Sequence, residues 1–160
     1  MTAVRMGERL LTIGSGTPDL FGALAVKSGL SGHAAAVSDT ERGAEALKQA
    51  GARAGALVDV ERAAPAAMPH DRESFDLVVI DCTAMPIAKA GDWLAEALRV
   101  LRVGGRLIVA ERTGGLSRLL GARFAGAGDA AARLLETHGL RPARVIAQRD
   151  GWRFTEGLKR

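Results

Sequence analysis

Short apolar runs alternate with amphipathic stretches along the whole chain, and turn-forming residues mark most boundaries. Arg9–Ile13 reads as a short apolar strand. Pro18–Leu30 follows as a helix, with Thr17 placed to cap it and Pro18 at the first helical position, where a missing N–H costs little. Gly29 and Gly32 bracket its end. His33–Val37 is a second strand of small apolar residues, and Thr40–Ala50 a helix stopped by Gly51. A third strand is expected at Ala54–Val58. The stretch Glu61–Ser74 carries Pro65 and Pro69 and shows neither period. Phe75–Ile80 is apolar with little alternation, as expected of a central strand buried on both faces.

Ala88–Arg102 has the clearest helical period, with Trp93, Leu94, Ala97, Leu98 and Leu101 on one face. Gly104-Gly105 ends it and Arg106–Ala110 forms the fifth strand. Within Thr113–Gly128, Leu116, Leu119, Leu120 and Phe124 favour a short helix over a flexible linker. Asp129–His138 is a further helix, capped by Asp129 and closed by Gly139. Ala143–Arg149 and Trp152–Leu158 are joined by Asp150-Gly151, a strong two-residue hairpin turn. This order predicts one α/β domain over residues 1–160. Its architecture is a doubly wound, mostly parallel seven-stranded sheet with helices on both faces and an antiparallel C-terminal hairpin.

Composition narrows the class. The 160 residues are 48% hydrophobic and 25% charged, a balance typical of a globular domain with a single core. No apolar run approaches the roughly 18–20 residues of a membrane span. The start carries no secretory signal, and a lone Cys82 forms no internal disulfide, so a cytoplasmic location is expected. The net charge of +4 is uneven: residues 1–80 sum to −2 and residues 81–160 to +6. That excess reads as an arginine-rich solvated surface. Six aromatic side chains are too few for both a core and a base-stacking platform, so a nucleic-acid partner is unsupported.

In an open α/β sheet, ligands bind beyond the carboxyl ends of the strands. Those ends are expected to be Gly14-Ser15-Gly16, Ser38-Asp39, Asp59-Val60 and Asp81-Cys82-Thr83. The glycine turn before a helix brings backbone N–H groups and a positive dipole end to a ligand. Asp39 lies where an acid can accept both hydroxyls of a ribose, and Asp59 where one can accept an exocyclic amine.

In these motifs the chain resembles class I S-adenosylmethionine-dependent methyltransferases. Leu10–Gly16 is similar to their first motif, Ala36–Leu47 to their ribose-binding region and Ala56–Glu61 to their adenine-binding loop. Phe75–Asp81 resembles their fourth strand, Ala97–Val109 their helix-to-strand segment, and the terminal hairpin their final strands. The resemblance implies S-adenosylmethionine as cofactor, with Gly14, Ser15 and Gly16 at its methionine part. It places Asp39, or Ser38 in an alternative alignment, at the ribose. Asp59 and the backbone of Val60 would read adenine, and Asp81 would lie near the sulfonium. Thr12 stands where the family usually has an acid, and Pro18-Asp19 occupy the region of a third glycine.

The sulfonium is already activated, so aligning nucleophile and methyl can supply much of the catalysis, up to about 7–11 kcal/mol in intramolecular analogues. No base for an acceptor is evident; Asp81 is a weak candidate, equally suited to capping a turn. A metal held by Asp81 and Glu111 lacks a third ligand and is not expected. Cys82 has no histidine partner for nucleophilic chemistry. His70 lies in the irregular stretch, expected near the cofactor side. About eight residues precede the first strand, so no N-terminal substrate cap is expected. Acceptor contacts then fall to Glu61–Arg72, Met85–Gly91, Thr113–Gly128 or a second copy in a homo-oligomer. The acceptor itself is not identified. A methyltransferase-like binding protein without catalysis is one alternative. A nicotinamide-dependent oxidoreductase is another, although Gly14-x-Gly16-x-x-Asp19 departs from its glycine pattern.

Overall fold

The computed structural model describes residues 4–84, 86–113 and 127–160, with side chains at 127–129 excepted. The described strands are β1 (Arg9–Ile13), β2 (His33–Ser38), β3 (Asp59–Arg62), β4 (Phe75–Asp81), β5 (Leu101–Arg112), β6 (Leu140–Arg149) and β7 (Trp152–Lys159). The helices are α1 (Pro18–Ser28), α2 (Glu41–Ala54), α3 (Gly91–Val100) and α4 (Ala127–Thr137), with a short 3-10 turn at Ile87–Lys89. One seven-stranded sheet runs in the order β3-β2-β1-β4-β5-β7-β6. Strands β1 to β5 pair in parallel, and β7 inserts antiparallel between β5 and β6. The expected fold is therefore present.

The two faces follow from strand alternation. Leu11, Ile13, Val78, Ile80, Leu107 and Val109 point to the α3–α4 side, where Trp93, Leu94, Ala97, Ala131 and Leu135 cover them. Leu10, Leu77, Val79 and Ile108 face the other way with Leu24 of α1. Phe21 and Ala25 of α1 join Leu47 of α2 over Ala34 and Ala36 of β2. Strand β4 is buried along nearly its whole length, as its apolar run required. The hairpin turn also stands where expected: Asp150 and Gly151 both have positive φ, at 54° and 75°.

Several boundaries differ from the sequence reading. Gly51 does not stop α2, which continues to Ala54 and ends on Gly55 in the left-handed conformation, φ 71°. A Cβ at Gly51 would run into the Val58 side chain, so this glycine is a packing notch. The third strand begins at Asp59, after the apolar segment Ala54–Val58 that was expected to form it. Helix α3 yields at Leu101, which already pairs with Phe75; the register then shifts before Leu77 meets Arg106. Thr17 makes no side-chain cap on α1. The short helix expected within Thr113–Gly128 lies almost entirely outside the described residues.

Two charge clusters hold the non-repetitive parts in place. Arg99 of α3 donates to the carbonyls of His70 and Met68, at 2.7 and 3.1 Å, and pairs with Glu96 at 2.7 Å. Glu96 in turn accepts from the Met68 N–H at 2.9 Å. The irregular stretch is thus strapped to a helix. Arg106 reaches both carboxylate oxygens of Glu8, at 2.7 and 2.9 Å, pinning the entry to β1 onto β5.

Candidate functional site

The strand order reverses between β1 and β4, so their carboxyl ends flank the crevice where doubly wound sheets bind ligands. The chain leaves β1 through Gly14, whose φ of 95° an L side chain rarely adopts. Its N–H donates to the Val37 carbonyl at 2.9 Å. A Cβ there would stand 3.1 Å from the Asp81 carbonyl oxygen, and one at Gly16 would overlap the Thr83 hydroxyl. The glycines therefore let the β1 turn and the β4 exit touch.

Asp81 joins the two. One of its carboxylate oxygens accepts from the Thr17 N–H at 2.6 Å, and the other from the Thr83 N–H and hydroxyl at 3.0 and 2.5 Å. The Thr17 and Thr83 hydroxyls also meet, at 3.1 Å. Asp81 is 3% exposed and receives three donors. Its carboxylate thus holds the N–H of Thr17, the residue before α1. Of the two roles expected for Asp81, the geometry supports the cap.

At the end of β2, Ser38 is buried and Asp39 exposed. The Ser38 hydroxyl lies 3.2 Å from that of Ser15 and accepts from the Thr40 N–H at 3.3 Å. Thr40 caps α2 by accepting from the Gly43 N–H at 3.1 Å. A Cβ at Gly43 would overlap these hydroxyls. The glycine turn and the β2 end are thus linked by uncharged hydroxyls, with Asp39 outside them.

Asp59 and Val60 do not reach this edge. They are the first two residues of β3 and pair with Ala35 and Ala36, while Arg62 pairs with Ser38. At about 3.3 Å per residue, Asp59 sits roughly 10 Å below the Ser38 level. Its carboxylate lies 3.4 Å from His33 Nε2. The true exit of β3 is Arg62-Ala63, where the Ala63 N–H bonds the Ser38 carbonyl at 3.0 Å. Sequence reasoning missed it because β3 is short and largely polar, whereas the apolar segment before it looked more like a strand.

His70 is likewise remote from the carboxyl edge. It packs edge-on to Phe75, at the start of β4, with ring centroids 5.1 Å apart. Burial holds its pKa below the ordinary value. Cys82 is buried at the β4 exit, and burial, then the charges of Glu111 and Asp81, push its thiol up to about 12. It is no thiolate nucleophile. Glu111, at the β5 end, has its pKa raised by burial, with Arg153 opposing. Among the described residues no group of three or more acidic, histidine or cysteine side chains could hold a metal ion. No described helix is long and apolar enough to cross a membrane.

Comparison with known proteins bears on the family and the fold. A family model described as a methyltransferase domain matches residues 11–109, from β1 into β5. A curated relative, the ubiquinone/menaquinone biosynthesis C-methyltransferase UbiE of Roseobacter denitrificans, is 35% identical over 111 residues, 68% of this chain. The match spans 44% of that protein's length. Among solved structures, a SAM-dependent methyltransferase from Aquifex aeolicus superposes with TM-score 0.78 at 16% identity, covering 98% of this chain and 85% of its own. One from Thermotoga maritima gives 0.66 at 22% identity, covering 96% and 82%. At these identities the structural likeness speaks for the fold.

Proposed function

The chain belongs to the methyltransferase-domain family, and from that premise we propose that it transfers the methyl group of S-adenosylmethionine to an acceptor at the carboxyl edge of the sheet. The observation that carries the reading is the glycine turn Gly14–Gly16 at the point where strand order reverses, inside the segment the family model matches. The residues fit the cofactor at this turn. Neither glycine has room for a side chain beside the β4 exit, and Gly16 is exposed, so a ligand can approach the backbone there.

In this reading Gly14, Ser15 and Gly16 hold the methionine part. The Ser15 hydroxyl, held by the buried Ser38 hydroxyl at 3.2 Å, and the exposed Asp39 take the ribose. The adenine end falls to the β3 exit at Arg62-Ala63 in place of Asp59 and Val60. Asp81 acts on the cofactor indirectly, by holding the α1 N-terminus and the Thr83 turn against the glycines. When bound, the cofactor supplies a methyl already activated on a sulfonium, so the chain's task is alignment. The domain is taken as a single unit over residues 1–160, at work in the cytoplasm. Its acceptor is still to be identified.

Calorimetric titration with S-adenosylhomocysteine tests this directly. One site per chain is expected, weakened more than about tenfold by Gly16→Val. Absence of heat at millimolar ligand overturns the cofactor assignment. A second reading, a methyltransferase-like binding protein without turnover, is favoured by one observation: the buried β2 end carries a serine, with the carboxylate of Asp39 outside. Binding of S-adenosylhomocysteine together with no methyl release over a broad acceptor panel supports it over the enzyme.

A further inference from the structure

A cavity lies at the end of the sheet opposite the glycine turn, and we propose that it binds a small apolar organic ammonium ion. The space is about 470 Å³, within the range of small-molecule sites. It opens between the C-terminal ends of α1 and α2 and the starts of β2 and β3, with His33 and Asp59 on its rim. His33 is five residues before Ser38, which puts it about 16 Å from the glycine-turn edge. The proposal stands apart from the cofactor assignment.

The walls are apolar and unusually open. Val26, Leu30 and Leu57 line the cavity while 52%, 95% and 86% exposed, and they are three of the six large hydrophobics exposed among the described residues. A fourth, Met6, stands beside Gly29 at the same mouth. Scattered exposed hydrophobics need no explanation, but four converging on one concavity form a patch.

The charge around that patch is of one sign. Both helices point their C-terminal, partially negative ends into it, at Gly29 and Gly55. Asp59 adds a full carboxylate, one oxygen of which faces His33 at 3.4 Å while the other takes no hydrogen bond from a described residue. The basic residues of the two last turns, Lys27 and Arg53, do not line the cavity, and Arg53 is held by Asp19 at 2.9 Å. An anionic ligand would meet three negative ends. A cation with an apolar body meets complementary charge and an apolar wall.

The test uses the full chain, labelled with nitrogen-15, and three probes of similar shape: phenethylammonium, phenethyl alcohol and phenylacetate. Amide shifts are expected around Val26–Leu30, His33 and Gly55–Asp59, with the ammonium bound at least about fivefold tighter than the alcohol and phenylacetate weakest. Asp59→Asn should bring ammonium and alcohol within about twofold of each other. Leu30→Lys, at a fully solvated position, should weaken the ammonium and favour phenylacetate. Equal affinity for the three probes, shifts elsewhere, or no shifts at about 10 mM would overturn the proposal. So would a dimer seen by light scattering that Leu30→Lys disperses, because the patch would then be a contact between copies.

Discussion

The Asp81 carboxylate accepts the Thr17 N–H at 2.6 Å, tying the last residue of β4 to the residue that precedes α1. A strand-end acid is here a structural clasp. Asp81→Asn replaces one acceptor oxygen with a donor facing N–H and hydroxyl groups. A loss of about 1–3 kcal/mol in unfolding free energy is expected by urea denaturation. Affinity for S-adenosylhomocysteine should fall with it, because the glycine turn loses its support. Unchanged stability would show that the clasp is not needed.

Gly14→Ala tests the turn itself. At φ 95° a Cβ is strained, and the Asp81 carbonyl lies 3.1 Å from its position. A destabilisation of about 1–3 kcal/mol is expected, with weaker cofactor binding in the same protein.

Thr12 sits 1% exposed in the middle of β1, and its hydroxyl has no hydrogen-bond partner among the described residues. Thr12→Val removes an unsatisfied polar atom while keeping the shape. The variant should be as stable as the natural chain or more so by up to about 1 kcal/mol. Thr12→Asp, by contrast, buries a carboxylate between Ala36 and Val79 on the flanking strands and should lower the melting temperature markedly.

Arg99→Ala strips the strap from the irregular stretch. The carbonyls of His70 and Met68 and the carboxylate of Glu96 all lose a charged donor. A cost of about 2–4 kcal/mol is expected by chemical denaturation, and proteolysis should begin within Ala63–Ser74.

His70 makes stability depend on pH. Burial lowers its folded-state pKa below 6.5, so the unfolded chain binds its proton more readily. Its contribution is complete above pH 6.5 and is lost as the pH falls through the lower folded value. Denaturation at pH 7.5 and 5.5 should show the natural chain weaker at the acid end, and His70→Phe should reduce that difference.

The strand series apart from β3, and the terminal hairpin, were legible in the residues. Each rests on local causes: unbroken apolar runs such as Phe75–Ile80, a Pro at a helix start, an Asp-Gly turn with two positive φ angles. The glycine turn after β1 was legible for the same reason, since few other residues tolerate Gly14's φ of 95°. What the local pattern misjudged were positions whose neighbours come from distant parts of the chain. Gly51 looked like a stop because glycine usually is one, yet Val58 needs the space that its missing side chain leaves. Asp59 looked like a strand-end acid because the apolar residues before it looked like the strand. Pairing with Ala35 starts β3 there and turns Asp59 toward the opposite cavity. Asp81 could be read from sequence as a base or cofactor contact, or as a cap. Only the tertiary structure shows its carboxylate accepting from Thr17, 64 residues away in sequence, as well as from Thr83 beside it. Sequence by itself determined most of the elements, because these follow from period and turn chemistry, and its motifs carried the resemblance to the family. Tertiary structure alone decided which end of the sheet each polar side chain serves, because strand register is set by contacts between segments that no local pattern records.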